Sequence, residues 1–195
     1  MTKKRTIQIK NMCCDRCITV VRQTLEGLGL RVNAVKLGQA TYSQISTSPV
    51  EDIGEKIVTA LEQNGFELIV DKDEVSIEIV RTTVMRFVDQ LPGLEEKELD
   101  IMKLLEQQTN KSYRTLATLF SKHRKMTIEK YIILQKLEKI KDLIDEGKFN
   151  FSQISDAMGY KAPQHLAAQF RRVTGMTMNQ HKKMAAKKRL SIDKI

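Results

Sequence analysis

Two stretches of the chain share one pattern of residues. Leu116, Ala117, Phe120, Met126 and Thr127 return fifty positions later as Leu166, Ala167, Phe170, Met176 and Thr177. Upstream, the earlier copy lacks one residue, so the offset becomes 49; Leu105 then corresponds to Ile154 and Asn110 to Gly159. Such a duplication constrains the fold more than composition does, because each copy must bury the same few apolar side chains in the same way.

The later copy, Phe151 to Gly175, has the clearer pattern. Ile154, Ala157 and Met158 share one face of a short helix, and Gly159 can take the left-handed turn. Pro163 can open a second helix, whose inner face is expected to carry Leu166, Phe170 and Val173. Two short helices about a tight turn make a helix-turn-helix, which offers the outer face of its second helix to a major groove. That face would carry Gln164, Ala167, Ala168 and Arg171.

On these residues the segment resembles the second helix-turn-helix of the AraC family of bacterial transcription factors. Ile154, Gly159, Tyr160, His165, Leu166, Phe170, Arg171, Arg172, Gly175 and Thr177 all fall on its pattern. In the first copy Asn110 stands in for the turn glycine, as Asn tolerates the left-handed conformation. Lys125 replaces the counterpart of Gly175, Glu106 a usual small residue and Thr109 a usual aliphatic one, so the first unit is expected to grip DNA less tightly. Ile128 to Gly147, with Ile132, Ile133, Leu137, Ile140 and Ile144, supplies the long helix that joins two such units in that family.

The resemblance spans about residues 75–183 and implies double-stranded DNA as a partner, with RNA polymerase and a second copy of the chain as further candidates. Carried over by position, the base-contacting residues are Arg114, Ala117 and Thr118 in the first unit and Gln164, Ala167 and Ala168 in the second. Arg can bond guanine, Gln can bond adenine, and Ala or Thr can touch a thymine methyl. Lys122, Arg171, Arg172, Lys182 and Lys183 read better as phosphate contacts, which hold register.

The first part of the chain has a different period. Residues 5–11 alternate, with Ile7 and Ile9 on one side of a strand, and Ile18, Val21, Leu25 and Leu28 follow at helical spacing. Gly27 and Gly29 close that helix, two strands flank Gly38, a helix marked by Ile53, Ile57, Ala60 and Leu61 ends at Asn64-Gly65, and FELIV is a last strand. Strand, helix, strand, strand, helix, strand is the ferredoxin-like βαββαβ order. The chain is therefore expected to be α+β, with this sheet domain followed by an all-α double helix-turn-helix.

Between the first strand and helix lies MCCDRC. Met12, Cys14 and Cys17 match the MxCxxC of the heavy-metal-associated domain, which residues 4–71 resemble; Asn11 stands where that family usually has Gly, and Cys13 adds a thiol where it usually has Ser or Thr. Two thiolates three residues apart at a helix start can converge on one soft ion, and the helix N-terminus favours their charged form. Two sulfurs suit Cu(I), the favoured ion; Zn(II) is the alternative and would need Cys13 or a second chain. The same resemblance implies that Met12 is a core side chain rather than a third ligand. The same thiols could instead form a reversible disulfide, leaving a redox-responsive regulator or a metal carrier with a basic appendage as alternatives.

From Glu74 a helical stripe of Ile77, Val80, Val84, Phe87, Val88 and Leu91 runs to Pro92-Gly93. The expected division is a sensor domain over 1–72, a connecting helix over 73–93 and a DNA-binding domain over 94–195, with helix-turn-helix units near 100–124 and 151–175. Of the net charge of +9, residues 1–73 hold 10 Lys+Arg against 9 Asp+Glu, and residues 74–195 hold 23 against 15. A basic half suits a polyanion, although a solvated Lys-rich face gives the same count. No phosphate-cradling Gly loop, nucleophile elbow or paired carboxylates point to an enzyme. The chain shows neither an apolar run of membrane-spanning length nor a secretory signal, so a cytoplasmic protein is expected. His123, His165 and His181 are scattered, and His165 is expected beside the core. The basic tail AAKKRLSIDKI is expected to touch DNA or stay mobile.

Overall fold

The computed structural model of the chain describes residues 4–44, 50–93 and 100–184. The tail from residue 185 and the end of the expected second hairpin strand lie outside the described residues. The chain is a mixture of strands and helices, the helices predominating, and it divides into two compact units: Met1–Thr83 with Leu104–His123, and Val84–Lys103 with Arg124–Ile195.

In the first unit the order is β1 (Lys4–Lys10), α1 (Asp15–Gly27), β2 (Leu30–Lys36), β3 (Gln39–Gln44), α2 (Val50–Glu62) and β4 (Glu67–Ile69). The strands form one antiparallel sheet in the order β2-β3-β1-β4, with Ile7 opposite Ala40 and Ile9 opposite Leu68. Alternation puts Ile9, Ala40 and Tyr42 into the core, where they meet Val21 and Leu25 of α1 and Ile57 and Leu61 of α2. Strand and helix periods thus agree on one apolar layer, which is why this stretch can bury a core of its own. Gly38 turns the β2–β3 hairpin at φ +79, a left-handed conformation, and a Cβ there would lie 3.5 Å from Thr82 and 3.6 Å from Glu78.

Helix α3 (Lys72–Gln90) begins directly after β4, and a 3-10 turn over Leu91–Gly93 ends it, as Pro92 requires. Ile77, Val80, Val84, Phe87, Val88 and Leu91 are all buried. Helices α4 (Ile101–Thr109) and α5 (Tyr113–Arg124) contain the first copy of the repeat.

In the second unit α6 (Ile128–Glu146) leads to α7 (Phe151–Ala157), which packs against α8 (Pro163–Thr174). Each boundary has a local cause. Thr127 caps α6 by accepting from the Lys130 amide, and Gly147 ends it at φ 71. Asn150 and Gln153 form a reciprocal capping box at α7. Pro163 opens α8 and Gly175 closes it at φ 76. Among the described residues no helix is long and apolar enough to cross a membrane.

Candidate DNA-binding surface and thiol cluster

The two copies of the repeat agree residue by residue in burial and backbone. Leu105 and Ile154 are both 0% exposed, Leu116 and Leu166 are 1% and 0%, and Phe120 and Phe170 are 1% and 0%. The turn residues share the left-handed region, Asn110 at φ 53 and Gly159 at φ 69; so do the closing residues, Lys125 at φ 54 and Gly175 at φ 76. Thr127 and Thr177 both accept the amide of the residue three on, capping the helix that follows. The duplication is therefore one of structure within each copy.

Glu106, a departure from the expected small residue, has a defined job. Its Oε1 accepts the Tyr113 amide at 2.7 Å and so caps the start of α5. Ser112 Oγ adds a second cap by accepting from the Thr115 amide. In the second copy Lys136 Nζ donates to the Met158 carbonyl at 2.9 Å and lies 5.4 Å from the centre of the Tyr160 ring, while Tyr160 Oη donates to Gln169 Oε1. Burial lowers the Lys136 pKa and pushes that of Tyr160 up to about 12. This bracing of the turn was missed from sequence, where Lys136 reads as an ordinary polar position on α6.

On α8 the residues expected to read bases, Gln164, Ala167 and Ala168, are exposed, as are Arg171 and Arg172. On α5 Arg114 and Thr118 are exposed and Ala117 is half-buried; the Thr118 hydroxyl donates to the Arg114 carbonyl. Lys122, Lys182 and Lys183 are exposed. Two expectations are corrected. Val173 is 41% exposed although it continues the stripe of Leu166 and Phe170. His165 is exposed, and it is His181 that meets the core: its ring stands edge-on to Phe170 at 5.9 Å and its Nε2 lies 3.0 Å from Asp145 Oδ1.

The thiol loop is held from both sides. Asn11, where a glycine was expected, sits at φ 71, the left-handed conformation that makes Gly common at such a place and Asn its best substitute. Its side chain donates to the Gly65 carbonyl, and Met12 is 0% exposed in the core. Arg81 of α3 donates from Nη2 to the Met12 carbonyl, and Glu78, 2% exposed, accepts from Nη2 and Nε along one edge of that guanidinium at 2.6 and 2.9 Å. The sequence signal was a Glu and an Arg three apart inside an apolar stripe.

Cys14 is the extended N-cap of α1, which puts Cys17 in the first turn. The Cys14 and Cys17 sulfurs are 3.7 Å apart, those of Cys13 and Cys17 are 3.8 Å apart, and all three lie within 4.8 Å of one another. Burial raises the Cys17 pKa, but hydrogen bonds from the Cys13 and Cys14 amides and from their thiols outweigh it, so its pKa is lowered. Cys13, though exposed, is pushed up to about 11 by partial desolvation and by its hydrogen bonds to Cys17 and Cys14. Three converging sulfurs fit a soft ion.

Residues 105–184 match the family model of a helix-turn-helix domain. No curated protein matches the chain. Among solved structures it is similar to a DNA-binding transcriptional dual regulator from Escherichia coli K-12, at 16% identity and a TM-score of 0.45 over 55% of this chain and 93% of that one. A transcriptional regulator of the AraC-type DNA-binding class from Chromobacterium violaceum gives 19% and 0.45 over 53% and 92%. The DNA-binding domain of AdpA, solved with a target DNA, gives 17% and 0.45 over 56% and 95%.

Proposed function

We propose that the chain is a sequence-specific DNA-binding transcription regulator of the AraC type whose N-terminal thiol loop takes a soft metal ion and thereby alters DNA binding. One observation carries the DNA-binding part: α8, within the stretch that matches a helix-turn-helix domain, buries Leu166 and Phe170 while leaving Gln164, Ala167, Ala168, Arg171 and Arg172 exposed on its other sides. A basic half supplies the salt-dependent grip on phosphate. The βαββαβ order and the sheet order β2-β3-β1-β4 support a ferredoxin-like domain of the heavy-metal-associated kind, and the three convergent sulfurs support the metal input. For the ion to act as a signal it must bind one conformational or oligomeric state more tightly than another, since equal affinity shifts nothing. A cytoplasmic site of action follows from this reading.

The test is selection of duplexes from a random pool with the full chain, then binding across a salt series with and without metal. A preferred site with a steep salt slope, weakened by Gln164→Ala by about 1 to 3 kcal/mol, is expected. Equal binding to all duplexes at every salt would sink the proposal. A redox input is a second reading, favoured by the lowered Cys17 pKa and the 3.7 Å approach of Cys14. Peroxide, rather than metal, would then change DNA binding in the wild type and lose its effect in Cys14→Ser.

A further inference from the structure

We infer that Cys13 is a third ligand of the thiol loop, which makes it a three-sulfur site for a divalent thiophilic ion of the zinc and cadmium kind rather than a two-sulfur site for Cu(I). The inference rests on the metal-binding reading above. Two sulfurs on opposite sides of one ion stand twice a bond length apart, more than about 4 Å for any metal–sulfur bond longer than about 2 Å. Cys14 and Cys17, the pair of the CxxC, are only 3.7 Å apart, too close for that arrangement.

Three sulfurs around one ion behave differently. At a bond length of about 2.3 Å they are spaced about 4.0 Å apart when the ion lies in their plane and about 3.8 Å apart when it sits at a tetrahedral centre. The spacings of 3.7 Å from Cys14 to Cys17 and 3.8 Å from Cys13 to Cys17 match this. With the third side at most 4.8 Å, the point equidistant from all three sulfurs lies no more than about 2.4 Å from each, close to a zinc–sulfur bond of about 2.3 Å. An ion could occupy that centre with little side-chain movement.

The backbone accounts for this placement. Cys13 and Cys17 are four residues apart, and Cys13 immediately precedes the extended N-cap Cys14, so its side chain comes round to the first turn of α1. Met12 cannot serve in its place: its side chain is 0% exposed in the core and its carbonyl is held by Arg81. The anchored Met12 fixes the start of the Cys13 backbone. Once three sulfurs converge, charge selects the ion, because three thiolates leave one net negative charge around a divalent ion and two around a monovalent one, the more costly arrangement in a small protein site.

The experiment titrates Cd(II) into the reduced full chain and follows thiolate-to-Cd(II) charge-transfer absorbance, which counts sulfur–metal bonds. Cys13 is exposed, so Cys13→Ser preserves the fold. Its absorbance per bound ion should fall to about two thirds of the wild type and its affinity by at least about tenfold. Cys14→Ser should fall equally. If Cys13→Ser kept the full absorbance and affinity while Cys14→Ser lost them, the third-ligand assignment would be overturned and the two-sulfur site would stand. If the wild type bound no Cd(II) through thiolates, the metal reading itself would go with it.

Discussion

The residue that closes the second helix of each copy offers a sharp test, because the two copies solve one backbone problem with different residues. Gly175 holds φ 76 and its counterpart Lys125 holds φ 54. A side chain in the left-handed region costs about 1 to 2 kcal/mol, and a Cβ built on Gly175 meets nothing within 4 Å, so no clash adds to the strain. Glycine in turn loses more chain entropy on folding, which offsets about 0.4 to 1 kcal/mol. Gly175→Lys should therefore destabilise by about 1 kcal/mol, and Lys125→Gly should stabilise by a similar amount. Gly175→Asn should cost less than Gly175→Lys, since Asn occupies the left-handed position Asn110 in the first copy. Urea unfolding of the full chain, followed by far-UV circular dichroism, would show the midpoint moving with an unchanged slope. A change of about 1 kcal/mol is about 2 to 4 °C in Tm for a chain of this size. If Lys125→Gly destabilised the chain, or Gly175→Lys left it unchanged, the view that backbone strain sets the difference at this closing position would be wrong.

Two further outcomes are expected. Arg81→Gln leaves the buried Glu78 carboxylate without its two-pronged partner and should cost about 3 kcal/mol in unfolding experiments, with faster alkylation of Cys13 and Cys14 as the Met12 carbonyl loses its donor; a cost below about 1 kcal/mol would contradict the burial of Glu78. Tyr160 keeps its proton up to about 12 when folded and to about 10 when unfolded, so its contribution to stability is full below pH 10 and is lost as the pH climbs towards 12. Lys136, with a lowered pKa, acts in the opposite sense, so the difference between wild type and Tyr160→Phe in alkaline unfolding isolates the tyrosine.

Much of the helical part was legible because its signals are local. Leu116, Phe120, Leu166 and Phe170 recur at the spacing of one helix face, and all are buried. Asn110 and Gly159 mark turns through their own backbone tolerance, and Pro163, Asn150 and Thr127 mark helix starts through the hydrogen bonds that helix ends require. In the N-terminal part the period-two residues and the glycine turns mark the strands along the chain, and the core place of Met12 was legible through the likeness of its loop to the heavy-metal-associated pattern.

Other features depend on which segment arrives opposite a given face. Val173 lies on the same stripe as Leu166 and Phe170, yet it is 41% exposed; periodicity names a face but cannot say where along it the neighbouring packing ends. His165 adjoins Leu166 in sequence while His181 stands between Gln180 and Lys182, and only the fold sets His181 against Phe170 and Asp145. The grip of Arg81 on the Met12 carbonyl joins residues 69 positions apart, a contact created when α3 packs beside the thiol loop. The spacing of the three sulfurs is likewise a product of side-chain directions at the start of α1, where the sequence supplies only the presence of Cys13, Cys14 and Cys17. Periodicity, caps and turn residues act within a few positions along the chain; convergence of side chains from distant positions is decided only when the core closes.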